Sequence, residues 1–204
     1  MKKMFLTSSF KDTANIFANF EPDLKGKTVT FIPTASVVEK VVFYVNSGRK
    51  TLEKLGLIVD ILEVSTATAD EMQEKLTRND FIYVTGGNTF FLLQELKRTG
   101  ADKMIATEVN NGKLYIGESA GAMVVSANIE YAKAMDSVKK APNLIEYDAL
   151  GLVEFYPVPH YGSAPFKKVV QNMIDTHSHM LKLIPISNHD AILVQNDEVK
   201  IERS

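Results

Sequence analysis

Short runs of apolar, β-favouring residues alternate along this chain with longer stretches whose apolar positions recur every three or four residues. Residues 4–7, 28–32, 58–62, 81–84 and 114–116 form the short runs, which suit buried strands. Residues 12–20, 38–55, 70–76 and 89–97 carry the helical spacing between them. Strand and helix in strict alternation make βαβ units, so a mostly parallel sheet covered by helices on both faces is expected. Beyond residue 125 the pattern loosens. Residues 133–142 and 161–165 read as loops around a strand at 155–158, followed by a helix from 166 to about 179. Strands at 183–186, 191–194 and 199–201 close the chain, the last two joined by a turn at Asn196-Asp197. No repeat, low-complexity tract or Pro/Gly-rich linker divides the 204 residues, and one domain over 1–204 is expected.

In an open α/β sheet, ligands gather outside the carboxyl ends of the strands. The polar and glycine-rich clusters of this chain fall there. Most telling is Tyr115-Ile116-Gly117-Glu118-Ser119-Ala120-Gly121-Ala122, where a strand meets a helix across a serine flanked by glycines at two residues either side. This is the sequence form of a nucleophile elbow: the reversal is so tight that side chains at the glycine positions would collide. Ser119 is therefore the candidate nucleophile.

A serine hydroxyl attacks only when a base takes its proton, and histidine is the usual base near neutral pH. Of the four histidines, His160 follows the strand at 155–158 on the side where Ser119 should project, and is the preferred base. His189, in the polar loop Ser187-Asn188-His189-Asp190, is the runner-up. His177 and His179 lie at the end of a helix, two residues apart and off a common face, and read as solvated. An acid must orient the base. Asp136, in the loop after the elbow helix, and Asp190, in the loop after His160, are both candidates. The Ala120 N–H would supply one oxyanion donor and the Gly87 N–H of Thr85-Gly86-Gly87-Asn88-Thr89 a second, with Asn88 placed to meet substrate or cap the following helix.

Composition narrows the chemistry further. Hydrophobic residues at 45% and charged residues at 24% are those of an ordinary globular chain. A formal charge of −2 gives no electrostatic reason to expect nucleic acid or an anionic membrane as partner. With no cysteine there is no thiol nucleophile and no disulfide, as fits a reducing cytoplasm. The apolar residues after Lys2-Lys3 are too few for a signal peptide, and no run is long enough to span a membrane. No H-E-x-x-H or comparable spacing suggests a metal site, and no cofactor is expected.

Taken together, Phe5-Leu6-Thr7-Ser8, Phe31-Ile32-Pro33-Thr34-Ala35, Gly86-Gly87-Asn88-Thr89-Phe90, Gly117-Glu118-Ser119-Ala120-Gly121-Ala122 and Pro159-His160 make the chain resemble the aspartyl dipeptidase (peptidase E) family of serine peptidases, which also includes the cyanophycinases. The resemblance runs over most of the length. It implies a three-layer α/β/α sandwich akin to the class I glutamine amidotransferase domain, with serine where amidotransferases use cysteine. It places the nucleophile at Ser119 and the base at His160. For the third member it implies either an aspartate after the elbow helix, close to Asp136, or an acidic residue that falls near Asn188, where this chain carries an amide and has Asp190 two positions on. It also implies cleavage of short peptides, dipeptides with an N-terminal aspartate among them. No motif supplies a cationic pocket for that side chain, since Arg49, Arg78 and Arg98 fall on helices or their ends. The expectation is a cytoplasmic serine peptidase acting on small peptides. Its rivals are an esterase or amidase with the same machinery, and an inactive scaffold that binds peptides or small molecules. A homodimer through a helical face is compatible with such a sandwich.

Overall fold

A computed structural model describes residues 2–204. Its centre is a seven-stranded sheet in which β1 (Lys3–Thr7), β2 (Thr28–Ile32), β3 (Ile58–Ile61), β4 (Phe81–Val84) and β5 (Leu114–Glu118) are parallel, in the order β3-β2-β4-β5-β1. A separate parallel pair, β6 (Tyr156–Val158) and β7 (Leu183–Pro185), lies outside it. Strands β8 (Asp190–Gln195) and β9 (Glu198–Arg203) extend the central sheet beyond β1, each antiparallel to its neighbour.

The alternation of side chains along each strand builds two cores, one on each face of the sheet. Met4 and Leu6 of β1 and Tyr115 of β5 point into one, whereas Phe5, Leu114 and Ile116 point into the other. The Phe5 face is covered by α1 (Ala14–Phe20) and α2 (Phe43–Lys54) through Ile16, Phe17 and Leu52. The opposite face is covered by α3 (Ala69–Arg78), α4 (Thr89–Thr99), α5 (Ala101–Asn110), α6 (Ala120–Met123) and α7 (Lys167–His177). This is the three-layer α/β/α sandwich with a mostly parallel sheet. Among the described residues no helix is long and apolar enough to cross a membrane.

Three departures from the sequence expectation have physical causes. Helix α5 was not anticipated, although Ala101, Ile105 and Val109 recur at every fourth position and are buried. Gly100, with φ of 80°, ends α4 and begins α5 without an intervening loop, so no turn cluster separates the two. Helix α2 starts at Phe43 instead of 38, which leaves Val37, Val41 and Val42 in an exposed segment beside the cleft described below. The strands expected at 155–158 and 183–186 pair with each other in the small sheet and do not join the central one.

Candidate active site

Strand β5 ends directly in the short helix α6, and Ser119 at the junction takes φ of 51° and ψ of −106°, a backbone conformation costly for a residue with a side chain. The glycines permit it. A Cβ on Gly117 would stand 2.5 Å from the Gly121 carbonyl oxygen, and one on Gly121 would collide with the Val84 carbonyl of the neighbouring strand. The Ser119 N–H is held by the Thr7 carbonyl at 2.8 Å. The serine is thus fixed above the ends of β4, β5 and β1, where the parallel strands open into a cleft of about 830 Å³.

Ser119 Oγ lies 3.0 Å from Nε2 of His160, which follows β6. His160 also has a left-handed backbone, with φ of 63°, and its N–H donates to Ser8 Oγ at 2.9 Å. Ser8 Oγ–H in turn donates to the Ile186 carbonyl, which ties the ends of β1 and β7 to the histidine. The imidazole stacks on Phe166 with ring centroids 4.6 Å apart. Burial beneath that ring lowers the His160 pKa below the ordinary histidine value, against the raising effect of its hydrogen bond to Asn188. Its neutral, proton-accepting form therefore persists to lower pH than an exposed histidine's.

The hydrogen-bond partner of His160 Nδ1 is neither candidate aspartate. Nδ1 of His160 lies 2.9 Å from Oδ1 of Asn188, in the loop between β7 and β8. An amide oxygen accepts a hydrogen bond from Nδ1–H, the tautomer that leaves the lone pair of Nε2 facing Ser119. Asp136 is drawn instead to the amino end of α4, where its Oδ2 accepts the Thr89 N–H at 2.9 Å and the Thr89 hydroxyl at 2.5 Å. Asp190 is held by the Arg203 guanidinium at 2.8 Å and by the Ser187 N–H at 2.8 Å. Despite the raising effect of burial, Arg203 and Ser187 keep the Asp190 carboxyl below its ordinary range. Asp136 does border the cleft, as does Asn188, whereas Asp190 does not.

The Gly86-Gly87 turn lies against Ser119, since a Cβ on Gly86 would be 3.2 Å from that of the serine. Gly87 has φ of 137°, and a side chain there would run into the Ala35 carbonyl. Ala120 begins α6 immediately after Ser119. Asn88 is buried, and both polar atoms of its side chain are taken within the chain: Oδ1 accepts the Phe91 N–H at 2.9 Å to cap α4, and Nδ2 donates to the Ser137 carbonyl. It borders the cleft as a helix cap. His189 is exposed, and His177 and His179 lie at and beyond the end of α7, away from the cleft. Among the described residues no group of three or more metal-binding side chains is arranged to hold an ion.

Sequence reasoning passed over Glu118, the residue before Ser119. Its carboxylate is buried under the cleft, where Oε1 accepts the Phe10 N–H at 2.9 Å and Oε2 the Tyr83 hydroxyl at 2.8 Å. Burial pushes its pKa up to about 7, against the lowering effect of those two donors. A carboxyl raised in the folded chain contributes stability that is complete below its unfolded value of 4.5 and is lost as pH rises through about 7. Forcing it to ionise costs about 3 kcal/mol. Urea unfolding at pH 5 and pH 8 should show wild type losing about that much relative to Glu118→Gln. An equal pH response of the two proteins would refute the assignment.

The profile of peptidase family S51 matches residues 4–202. An uncharacterized peptidase of Listeria innocua serovar 6a is 62% identical over 199 residues, covering 98% of this chain and 95% of the relative. Peptidase E of Haemophilus influenzae is 34% identical over 137 residues, covering 63% of this chain and 61% of the relative. The crystal structure of a Listeria monocytogenes EGD-e protein described as a candidate peptidase E superposes with a TM-score of 0.97 at 58% identity, covering 100% of this chain and 99% of that one. A peptidase from an acI-B1 actinobacterium superposes with a TM-score of 0.76 at 21% identity, covering 100% of this chain and 88% of the other, a likeness of fold.

Proposed function

Because the chain belongs to peptidase family S51 and is a serine peptidase by that membership, we propose that it acts as a single domain on short peptides in the cytoplasm, through Ser119, His160 and Asn188. The observation that carries this reading is the run of contacts from Ser119 Oγ to His160 Nε2, and from His160 Nδ1 to Asn188 Oδ1. His160 takes the proton of Ser119 as Oγ bonds to the scissile carbonyl carbon, and the resulting oxyanion is met by the N–H groups of Ala120 and Gly87. The imidazolium then gives its proton to the leaving amine as the C–N bond breaks. Water attacks the acyl-enzyme with His160 again as base and releases Ser119 with its proton restored. Every proton in this cycle moves through Nε2.

Asn188 supplies orientation without charge. An amide fixes the tautomer of His160 but stabilises the imidazolium less than a carboxylate would, which suits a histidine whose pKa is already held down by burial. The experiment is hydrolysis of a dipeptide panel by wild type in the presence of a chelator. Cleavage is expected, with activity unchanged by the chelator. Turnover of activated esters alone, with no peptide cleaved, would favour the esterase reading instead. The preference for an N-terminal aspartate that the family resemblance implies has no arginine on the cleft wall to support it.

A further inference from the structure

The walls of the cleft carry an unequal set of charges. Glu39, Asp136 and Asp12 stand against Lys11 and Lys140. Lys140 is itself engaged by Glu39 at 2.7 Å. A receptor for a carboxylate side chain would use the fork of an arginine, which binds both oxygens at once. All four arginines of the chain are committed elsewhere: Arg49 to Glu53, Arg78 to Asp60 and Glu74, Arg98 to Glu95, and Arg203 to Asp190. Among the described residues that border the cleft there is no arginine.

Asp136 has the opposite character. Thr89 donates twice to its Oδ2, and among the described residues Oδ1 has no hydrogen-bond partner. That oxygen belongs to a side chain on the cleft wall shared with Gly86, Gly87 and Ser119. Tyr44 stands beside the same charges. Its ring lies 3.7 Å from where a Cβ on Gly86 would be. Burial, followed by the negative charges of Glu39, Glu118 and Asp136, pushes its hydroxyl up to about 12.

We infer that the cleft selects peptides whose first residue is basic or neutral and discriminates against those beginning with aspartate, with Oδ1 of Asp136 receiving the positive charge of the substrate's amino end. The inference rests on the peptidase reading given above and deepens it to a substrate class. An ammonium group gains a charge-assisted hydrogen bond at Asp136, whereas an aspartyl side chain brings a like charge to a wall with no free guanidinium.

The test compares kcat/KM for Lys-Leu, Ala-Leu and Asp-Leu, with N-acetyl-Ala-Leu as the probe that removes the positive charge, using wild type and Asp136→Asn. For wild type, Lys-Leu and Ala-Leu should exceed both Asp-Leu and N-acetyl-Ala-Leu by about 10²-fold or more. In Asp136→Asn the advantage of Lys-Leu over Asp-Leu should shrink by about tenfold, mainly through KM. The wild-type ranking decides the matter even if that variant folds poorly. Asp-Leu cleaved as well as or better than Lys-Leu, or the acetylated peptide cleaved as well as Ala-Leu, overturns the inference and leaves the peptidase reading standing. No Ser119-dependent cleavage of any peptide overturns both.

Discussion

Ser119→Ala should lower kcat for peptide cleavage by about 10⁴-fold or more while leaving the melting temperature close to that of wild type. The separation of the two effects follows from the geometry. Among the described residues Ser119 Oγ makes one polar contact, to His160 Nε2, so removing it deletes the proposed nucleophile and little else. The strained φ of 51° is permitted by the close packing at Gly117 and Gly121, which alanine at 119 would leave unchanged. Steady-state rates alongside thermal melts check both halves. A variant with near-normal turnover would place the chemistry elsewhere. One that had lost its fold would mean that the serine hydroxyl is structural.

Asn188→Ala should follow as the second largest effect, a fall in kcat of about 10²- to 10³-fold with KM little changed. Without the amide, the Nδ1 proton has no fixed acceptor, and the imidazole spends less time with its Nε2 lone pair toward Ser119. Asn188→Asp separates orientation from simple packing. A carboxylate beside Nδ1 stabilises the imidazolium, so the His160 pKa rises and the acid limb of the kcat/KM profile should move upward by about one pH unit or more. A merely structural Asn188 would let the alanine variant lose stability and would leave the position of that limb unchanged in the aspartate variant.

Much of this arrangement is legible in the sequence because it is set by local sterics. Gly117 and Gly121 mark the elbow since only glycine fits between the strand end and the Val84 carbonyl, a demand that leaves its trace in the chain itself. The alternating apolar runs gave the parallel strands for the same reason: residues such as Met4, Phe5 and Leu6 face opposite cores and must all be apolar. Long-range choices leave no such trace. Whether His160 meets an aspartate or an amide depends on how the β7–β8 loop returns to the cleft, while Asp136 and Asp190 make their hydrogen bonds to Thr89 and Arg203. Glu118 was hidden by its position inside the elbow motif, where only the glycines and the serine draw notice. Its burial depends on Tyr83 and Phe10, which are distant in sequence. Likewise, the union of β6 with β7 in a sheet of their own is a tertiary pairing that periodicity does not encode.

The most direct measurement is mass spectrometry of the protein quenched in acid during turnover of an activated acyl ester, with the modified peptide sequenced. The proposed mechanism requires one acyl group per chain, located on Ser119, absent in Ser119→Ala and accumulating more slowly in His160→Ala. Steady turnover with no acyl adduct, or an adduct on a residue other than Ser119, would contradict it.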